Sequence, residues 1–185
     1  ILGFHTQLHC NNFMDAVDRF IEARIDRGEF AVVQKQRQTL VHPYPISIEW
    51  PVRSLQGLPD AAECRTQIIK QLGLPADAVI GVGVDRLDYT KGIEERLLAV
   101  ERVLEKQPSL RGRLCFVQIA APSRVEIERY RALNETVAAV ASRINERFGS
   151  ARYRPVILLR QHHEHEAVFR LFRSADFCYV SSLHD

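Results

Sequence analysis

From Val79 onward the chain alternates short, unbroken apolar runs with longer stretches whose apolar residues recur every three or four positions. Residues 79–84 are apolar and rich in valine, the pattern of a strand buried on both faces. Residues 92–107 follow with Ile93, Leu97, Val100 and Leu104 at helical spacing. Residues 114–120 read as a second strand. Tyr130, Leu133, Val137, Val140, Ile144 and Phe148 mark a long helix, expected to open with a capping box made by Ser123 and Glu126. Residues 156–159, 164–173 and 177–181 continue the series as strand, helix and strand. Alternation of this kind predicts an α/β fold in which helices cover both faces of a parallel sheet.

The first part of the chain reads differently. Residues 1–4 are expected as a strand, and residues 12–27 as an amphipathic helix with Phe13, Val17, Phe20, Ile21 and Ile25 on one side. Residues 31–48 alternate and are broken by Pro43 and Pro45, which predicts a hairpin followed by an extended crossing. The stretch from Trp50 to Pro59 carries proline and glycine and is the expected domain boundary. Asp60 and Glu63 form a second capping box, opening a helix that runs to about Leu72. Both ends of the chain fall at apolar runs, so it is expected to be a piece of a longer protein.

Composition narrows the class. With 46% hydrophobic and 26% charged residues the chain can build a packed core and is not a disordered tail. A formal charge of +2 provides no global field for nucleic acid or a membrane surface, so anion binding must come from locally placed basic groups. No apolar run is long enough to cross a bilayer. Cys10, Cys64, Cys115 and Cys178 are scattered without a C-x-x-C pair, which favours small buried hydrophobes in a reducing cytoplasm over disulfides or zinc ligands.

Ligands of parallel sheets bind at the carboxyl ends of the strands, so the loops there carry the candidate chemistry. After the first strand come Asp85, Arg86, Leu87, Asp88, Tyr89, Thr90, Lys91 and Gly92. Arg86 and Lys91 lie near a helix N-terminus, where free amides and the macrodipole favour an anion such as phosphate. The spacing equally allows surface charges paired with Asp85 and Asp88. After the second strand, Arg124 is expected in the first turn of a helix, a position the dipole disfavours for a cation and an anionic ligand would explain. After the third, His162, His163 and His165 lack the i, i+4 spacing of a helical metal pair, so a helix start is favoured and no metal is expected. His5, Thr6 and His9 read as polar loop residues.

The run from Asp85 to Gly92 resembles the signature of the trehalose-phosphate synthase family. The likeness continues through Gln118 to Arg124, Arg143 to Asn145, Phe172 to Asp176 and Ser182 to Asp185, and upstream through Leu2 to Phe4 and Pro43 to Ile48. It covers essentially the whole chain. The resemblance implies a two-domain glycosyltransferase of the GT-B type, built from Rossmann-like α/β domains and only partly covered here. Residues 1–50 would end the acceptor-side domain, and residues 51–185 would form the first half of the nucleotide-sugar domain. The implied reaction moves glucose from UDP-glucose, or another nucleotide-glucose, to glucose 6-phosphate with retention.

By the same resemblance Arg86 and Lys91 hold the donor diphosphate and stabilise the leaving group. Ile119, His162, His163 and Val168 line the nucleobase pocket, Asp185 contacts the donor glucose, and Arg124 binds the acceptor phosphate. No metal or other cofactor, nucleic-acid partner or membrane is implied; a homo-oligomer is compatible with it. The segment alone is expected to be inactive, because other family motifs would lie outside it. Two other readings stay open: a related glucosyltransferase such as glucosylglycerol-phosphate synthase, and a non-catalytic sugar-phosphate-binding homologue.

Overall fold

The computed structural model describes residues 1–50, 52, 55–123 and 126–182. The chain divides into two compact units, Ile1–Arg53 and Ser54–Asp185.

The first unit is a four-stranded sheet with one helix. Strand β1 (Leu2–Phe4) runs parallel to β4 (Arg37–Pro43), while β3 (Ala31–Gln34) joins β4 and β2 (Arg24–Asp26) antiparallel. The β3–β4 turn places Lys35 and Gln36 at φ 45° and 66°, the left-handed pair that two-residue hairpins require. Helix α1 (Gln7–Phe20) buries Cys10, Met14 and Val17 against Val41 of the sheet. Its limits differ from the expected 12–27. Thr6 caps it by accepting from the His9 amide at 3.3 Å, and Ile21 is already extended. Arg24–Asp26 is drawn into the sheet by hairpin pairing with β3, a gain that the helical periodicity does not register.

The second unit carries the predicted parallel sheet. Its strands are β5 (Val79–Arg86), β6 (Leu114–Ala121), β7 (Val156–Leu159) and β8 (Phe177–Cys178), in the order β7-β6-β5-β8. Helix α2 (Ala61–Leu72) precedes β5; α3 (Ile93–Lys106), α4 (Glu128–Phe148) and α5 (His165–Ser174) follow successive strands. The cap at α2 forms as expected, with Asp60 accepting from the Glu63 amide at 2.8 Å and Gly73 closing the helix in the left-handed region. One apolar cluster packs α3 and α4 on one face of the sheet, through Leu97, Leu104, Phe116, Val137 and Ile144. A second packs α2 and α5 on the other, through Ile68, Ile80, Val117, Ile119 and Leu171.

Side-chain clasps fix the strand starts. Asn145 exchanges two 2.9 Å hydrogen bonds with the Val156 backbone. Asp176 accepts from the Ile80 amide at 2.7 Å and from Arg65 at 3.1 Å. Two expectations are corrected. Helix α4 begins at Glu128 after Ile127, with no side-chain cap, so Ser123 lies too far upstream to reach its first amides. Strand β8 is shorter than residues 177–181, and Cys178 is exposed because β8 is a sheet edge paired only with β5. Among the described residues no helix is long and apolar enough to cross a membrane.

Burial pushes the Cys115 thiol up from 9.0 to about 11, with the Asp77 carboxylate adding to it. Burial likewise pushes the Tyr153 phenol from 10.0 to about 12, reinforced by Cys115. Both groups are neutral when protonated, so folding favours the protonated forms. Their contribution is whole below the unfolded values and is lost as pH rises through the folded ones. Thermal midpoints should therefore hold up to about pH 9 and fall from there toward pH 12. Cys115→Ala should flatten that fall; an unchanged slope would remove the thiol from the account.

Candidate functional site

Chain order and spatial order part company at β5. Strands β5, β6 and β7 step outward in one direction, and β8 returns to the opposite side of β5. Helices leave the two directions on opposite faces, which opens a crevice at the carboxyl ends where such sheets bind ligands. The Arg86–Lys91 loop leaves β5 at that crevice, and Ser181 and Ser182 leave β8 beside it.

The loop is a built object. After Arg86 the backbone turns through a short 3-10 helix, Tyr89–Lys91, whose cap is Asp88: its Oδ1 accepts from the Thr90 amide and hydroxyl, each at 3.0 Å. The other Asp88 oxygen accepts from the Tyr130 hydroxyl at 3.3 Å, tying the turn to α4. Leu87 drops into the core at 4% exposure and anchors the turn from below. Gly92 then adopts φ 59° and opens α3 without a side-chain cap, leaving first-turn amides unbonded by any side chain at the cap.

Beneath the loop lies a guanidinium with no exposure at all. Arg96 donates through Nη2 to Asp85 Oδ2 at 2.7 Å, through Nη1 to Gln118 Oε1 at 2.9 Å and through Nε to Ser181 Oγ at 3.1 Å. The Ser181 hydroxyl in turn sits 3.0 Å from the Lys91 carbonyl and 2.9 Å from that of Gly92. The cluster bears on the two readings of Arg86. Asp85 is committed to Arg96 and Asp88 to its turn, and neither forms an ion pair with Arg86. Arg86, the last residue of β5, is exposed and makes no side-chain hydrogen bond or ion pair among the described residues. Lys91 is half-buried at the end of the 3-10 turn.

Further along the carboxyl edge, a cavity of about 330 Å³ opens between α2, α5 and the ends of β6 and β7. Ile119, Leu159, His163 and Arg170 line it. The His163 Nε2 and Arg170 Nε atoms are buried and without a hydrogen-bond partner among the described residues. Val168 packs against the same apolar cluster as Ile119. His162 is exposed in the preceding loop and does not line this cavity. Arg124 and Asp185 lie outside the described residues, and the helix expected to carry Arg124 in its first turn begins only at Glu128.

Sequence reasoning gave Arg96, Gln118 and Ser181 no part in building the site, although Arg96 and Gln118 fall within the family likeness and Ser181 opens the loop after the fourth strand. One signal was available: Arg96 falls three residues after Ile93 and beside Leu97, on the apolar stripe of its helix, where a solvated arginine has no place. His5 and Thr6, read as plain loop residues, also have structural work. Thr6 caps α1, and His5 Nδ1 accepts from the Ile46 amide at 3.0 Å.

A doubly wound parallel sheet with helices on both faces defines an α/β domain of the Rossmann-like type. The sequence profile of glycosyltransferase family 20 matches residues 1–185, and the chain belongs to that family. It is 35% identical over 188 residues to the UDP-forming α,α-trehalose-phosphate synthase of Pichia angusta, covering 100% of this chain and 38% of that one. Its fold matches the crystal structure of the corresponding Burkholderia vietnamiensis enzyme with a TM-score of 0.75 and 31% identity, covering 99% of this chain and 41% of that one. The Burkholderia xenovorans enzyme in complex with glucose 6-phosphate gives a TM-score of 0.74 at 29% identity, over 100% of this chain and 40% of that one. The fold is thus the GT-B type that the resemblance implied, and the chain spans about two-fifths of the length of these relatives.

Gly92 combines a left-handed backbone with a close backbone neighbour. A Cβ there would lie 2.6 Å from the Ser181 carbonyl oxygen, whereas one at Gly112, with φ 86°, would meet nothing within 4 Å. Gly112→Ala should lose only the conformational strain, about 1–2 kcal/mol, and Gly92→Ala distinctly more, both read from urea midpoints. Equal losses would show that the Ser181 contact does not fix Gly92.

Proposed function

We propose that this chain forms part of a retaining glucosyltransferase that moves glucose from UDP-glucose to glucose 6-phosphate, giving trehalose 6-phosphate. On this reading Ile1–Arg53 contributes to the acceptor-side domain and Ser54–Asp185 forms the first half of the nucleotide-sugar domain. The observation that carries it is the Arg86 guanidinium, exposed at the end of β5 and without an ion pair among the described residues, while the adjacent Asp85 is committed to Arg96. An exposed guanidinium at the carboxyl end of β5, near a helix start, favours a ligand of concentrated negative charge, and a diphosphate meets that description. The UDP-forming relatives and the glucose 6-phosphate held by the Burkholderia xenovorans enzyme support the choice of substrates.

The chemistry asked of these residues is electrostatic. The bond between the anomeric carbon and the β-phosphate oxygen breaks, and its electron pair goes to the departing UDP. An acceptor hydroxyl oxygen bonds the anomeric carbon on the same face, and its proton passes to the leaving diphosphate. Arg86 and Lys91 stabilise the charge that accumulates on that diphosphate. Ile119, His163 and Val168 would seat the base, with His162 at the rim of its pocket; a base carrying hydrogen-bonding edges would also give the unpartnered atoms of His163 and Arg170 something to bond. Arg124 would hold the acceptor phosphate and Asp185 the donor glucose. The reading needs no metal or other cofactor, and the four free cysteines support a reducing cytoplasm.

In the full-length protein that carries this chain, Arg86→Ala and Lys91→Ala should each lower kcat by about 100- to 1,000-fold. Turnover would be followed with UDP-glucose and glucose 6-phosphate, with glycerol 3-phosphate as a competing acceptor. Arg124→Ala should raise KM for glucose 6-phosphate while leaving KM for UDP-glucose alone. Undiminished rates in both Arg86→Ala and Lys91→Ala would defeat the assignment.

A further inference from the structure

We infer that Arg96 is a positioning residue for the diphosphate-binding turn. The inference rests on the reading of Arg86 and Lys91 given above. Three lines of geometry lead to it. Its one planar fork bonds β5 through Asp85, β6 through Gln118 and the exit from β8 through Ser181, so a single side chain spans every strand that meets at the crevice. It also touches the turn itself, because Nη2 lies 3.4 Å from the Lys91 carbonyl and Ser181, which Arg96 holds, bonds the carbonyls of Lys91 or Gly92. And room has been left for it: a methyl on Gly83 of β5 would collide with both Arg96 and Gln118.

A buried guanidinium is costly unless its charge and its donors are answered. Asp85 answers the charge, and two neutral oxygens answer the remaining edges, while the Tyr179 ring lies 5.9 Å from the guanidinium carbon. The pairing has two consequences for the site. It removes the one carboxylate on β5 adjacent in sequence to Arg86, so Arg86 keeps its full charge for a ligand. It also fixes the separation between the turn after β5 and the segment after β8, four residues before Asp185. Gln118 extends the same frame toward the base cavity, since its amide donates to the carbonyl of Ile119 at 2.7 Å. Arg96 touches no ligand in this scheme; it acts through the groups that do.

A lysine cannot reproduce the three-directional fork although it keeps the charge. In the full-length protein, Arg96→Lys should lower kcat/KM for UDP-glucose by about 100-fold, the scale of a displacement of roughly 1 Å at a reacting group. KM for glucose 6-phosphate should stay within about twofold. Ser181→Ala, which loosens the same frame without stranding a buried charge, should shift the same donor parameter in the same direction by a smaller factor. A purely structural role would lower the melting temperature and active fraction, moving both substrates' parameters together or neither. If Arg86→Ala has lost turnover while both frame variants fold and keep donor kinetics, the positioning role is overturned and the site stands. If Arg86→Ala turns over normally, the site reading itself fails. Should Arg96→Lys not fold, Ser181→Ala decides: a donor-specific loss supports the role, and unchanged donor kinetics overturn it.

Discussion

The second unit is organised around one electrostatic obligation, the charge of Arg96 held at zero exposure beneath the sheet's carboxyl edge. A guanidinium so placed must be paired and fully hydrogen-bonded, and the partners it requires come from two strands and the segment that leaves a third. Meeting that obligation dictates much else. It calls for glycine at position 83, commits Asp85, draws Ser181 against the start of α3 and leaves Gly92 no room for a side chain. Removing the charge alone would leave Asp85 without its partner, so the cluster is held in place mutually.

The same arrangement explains how a chain of nearly balanced charge can present a concentrated anion site. Formal charge is only +2, so the chain's field as a whole is weak. Charge is instead separated locally: Asp85 is taken up by Arg96, and Arg86 on the rim forms no ion pair among the described residues. Stability and site electrostatics share residues here, which is why a change at a buried position can alter the properties of an exposed one.

The sequence made the second unit legible because its strands are buried on both faces and its helices each carry one apolar stripe. Residues 156–159 match β7 at both ends, and the Asp60 cap is where its side chain predicts it. The errors fall where strand pairing competes with local pattern: Arg24–Asp26 is a strand because β3 is there to receive it, and β8 pairs with β5 over two residues only. The family motifs also divide in a way no motif announces. Asn145 and Asp176 serve as clasps of the scaffold, whereas Arg86 ends β5 with an exposed side chain. The buried role of Arg96 was hidden because a charged residue on a helix reads as solvated; its register with Ile93 and Leu97 was a contrary sign.

The most direct test is a crystal structure of the full-length protein with UDP bound. The account predicts diphosphate oxygens within about 2.7–3.2 Å of both the Arg86 guanidinium and the Lys91 ammonium, with Arg96 still bonded to Asp85, Gln118 and Ser181 below them. A diphosphate seated elsewhere, or Arg86 and Lys91 turned to opposite faces of the loop with the ligand touching neither, would contradict it.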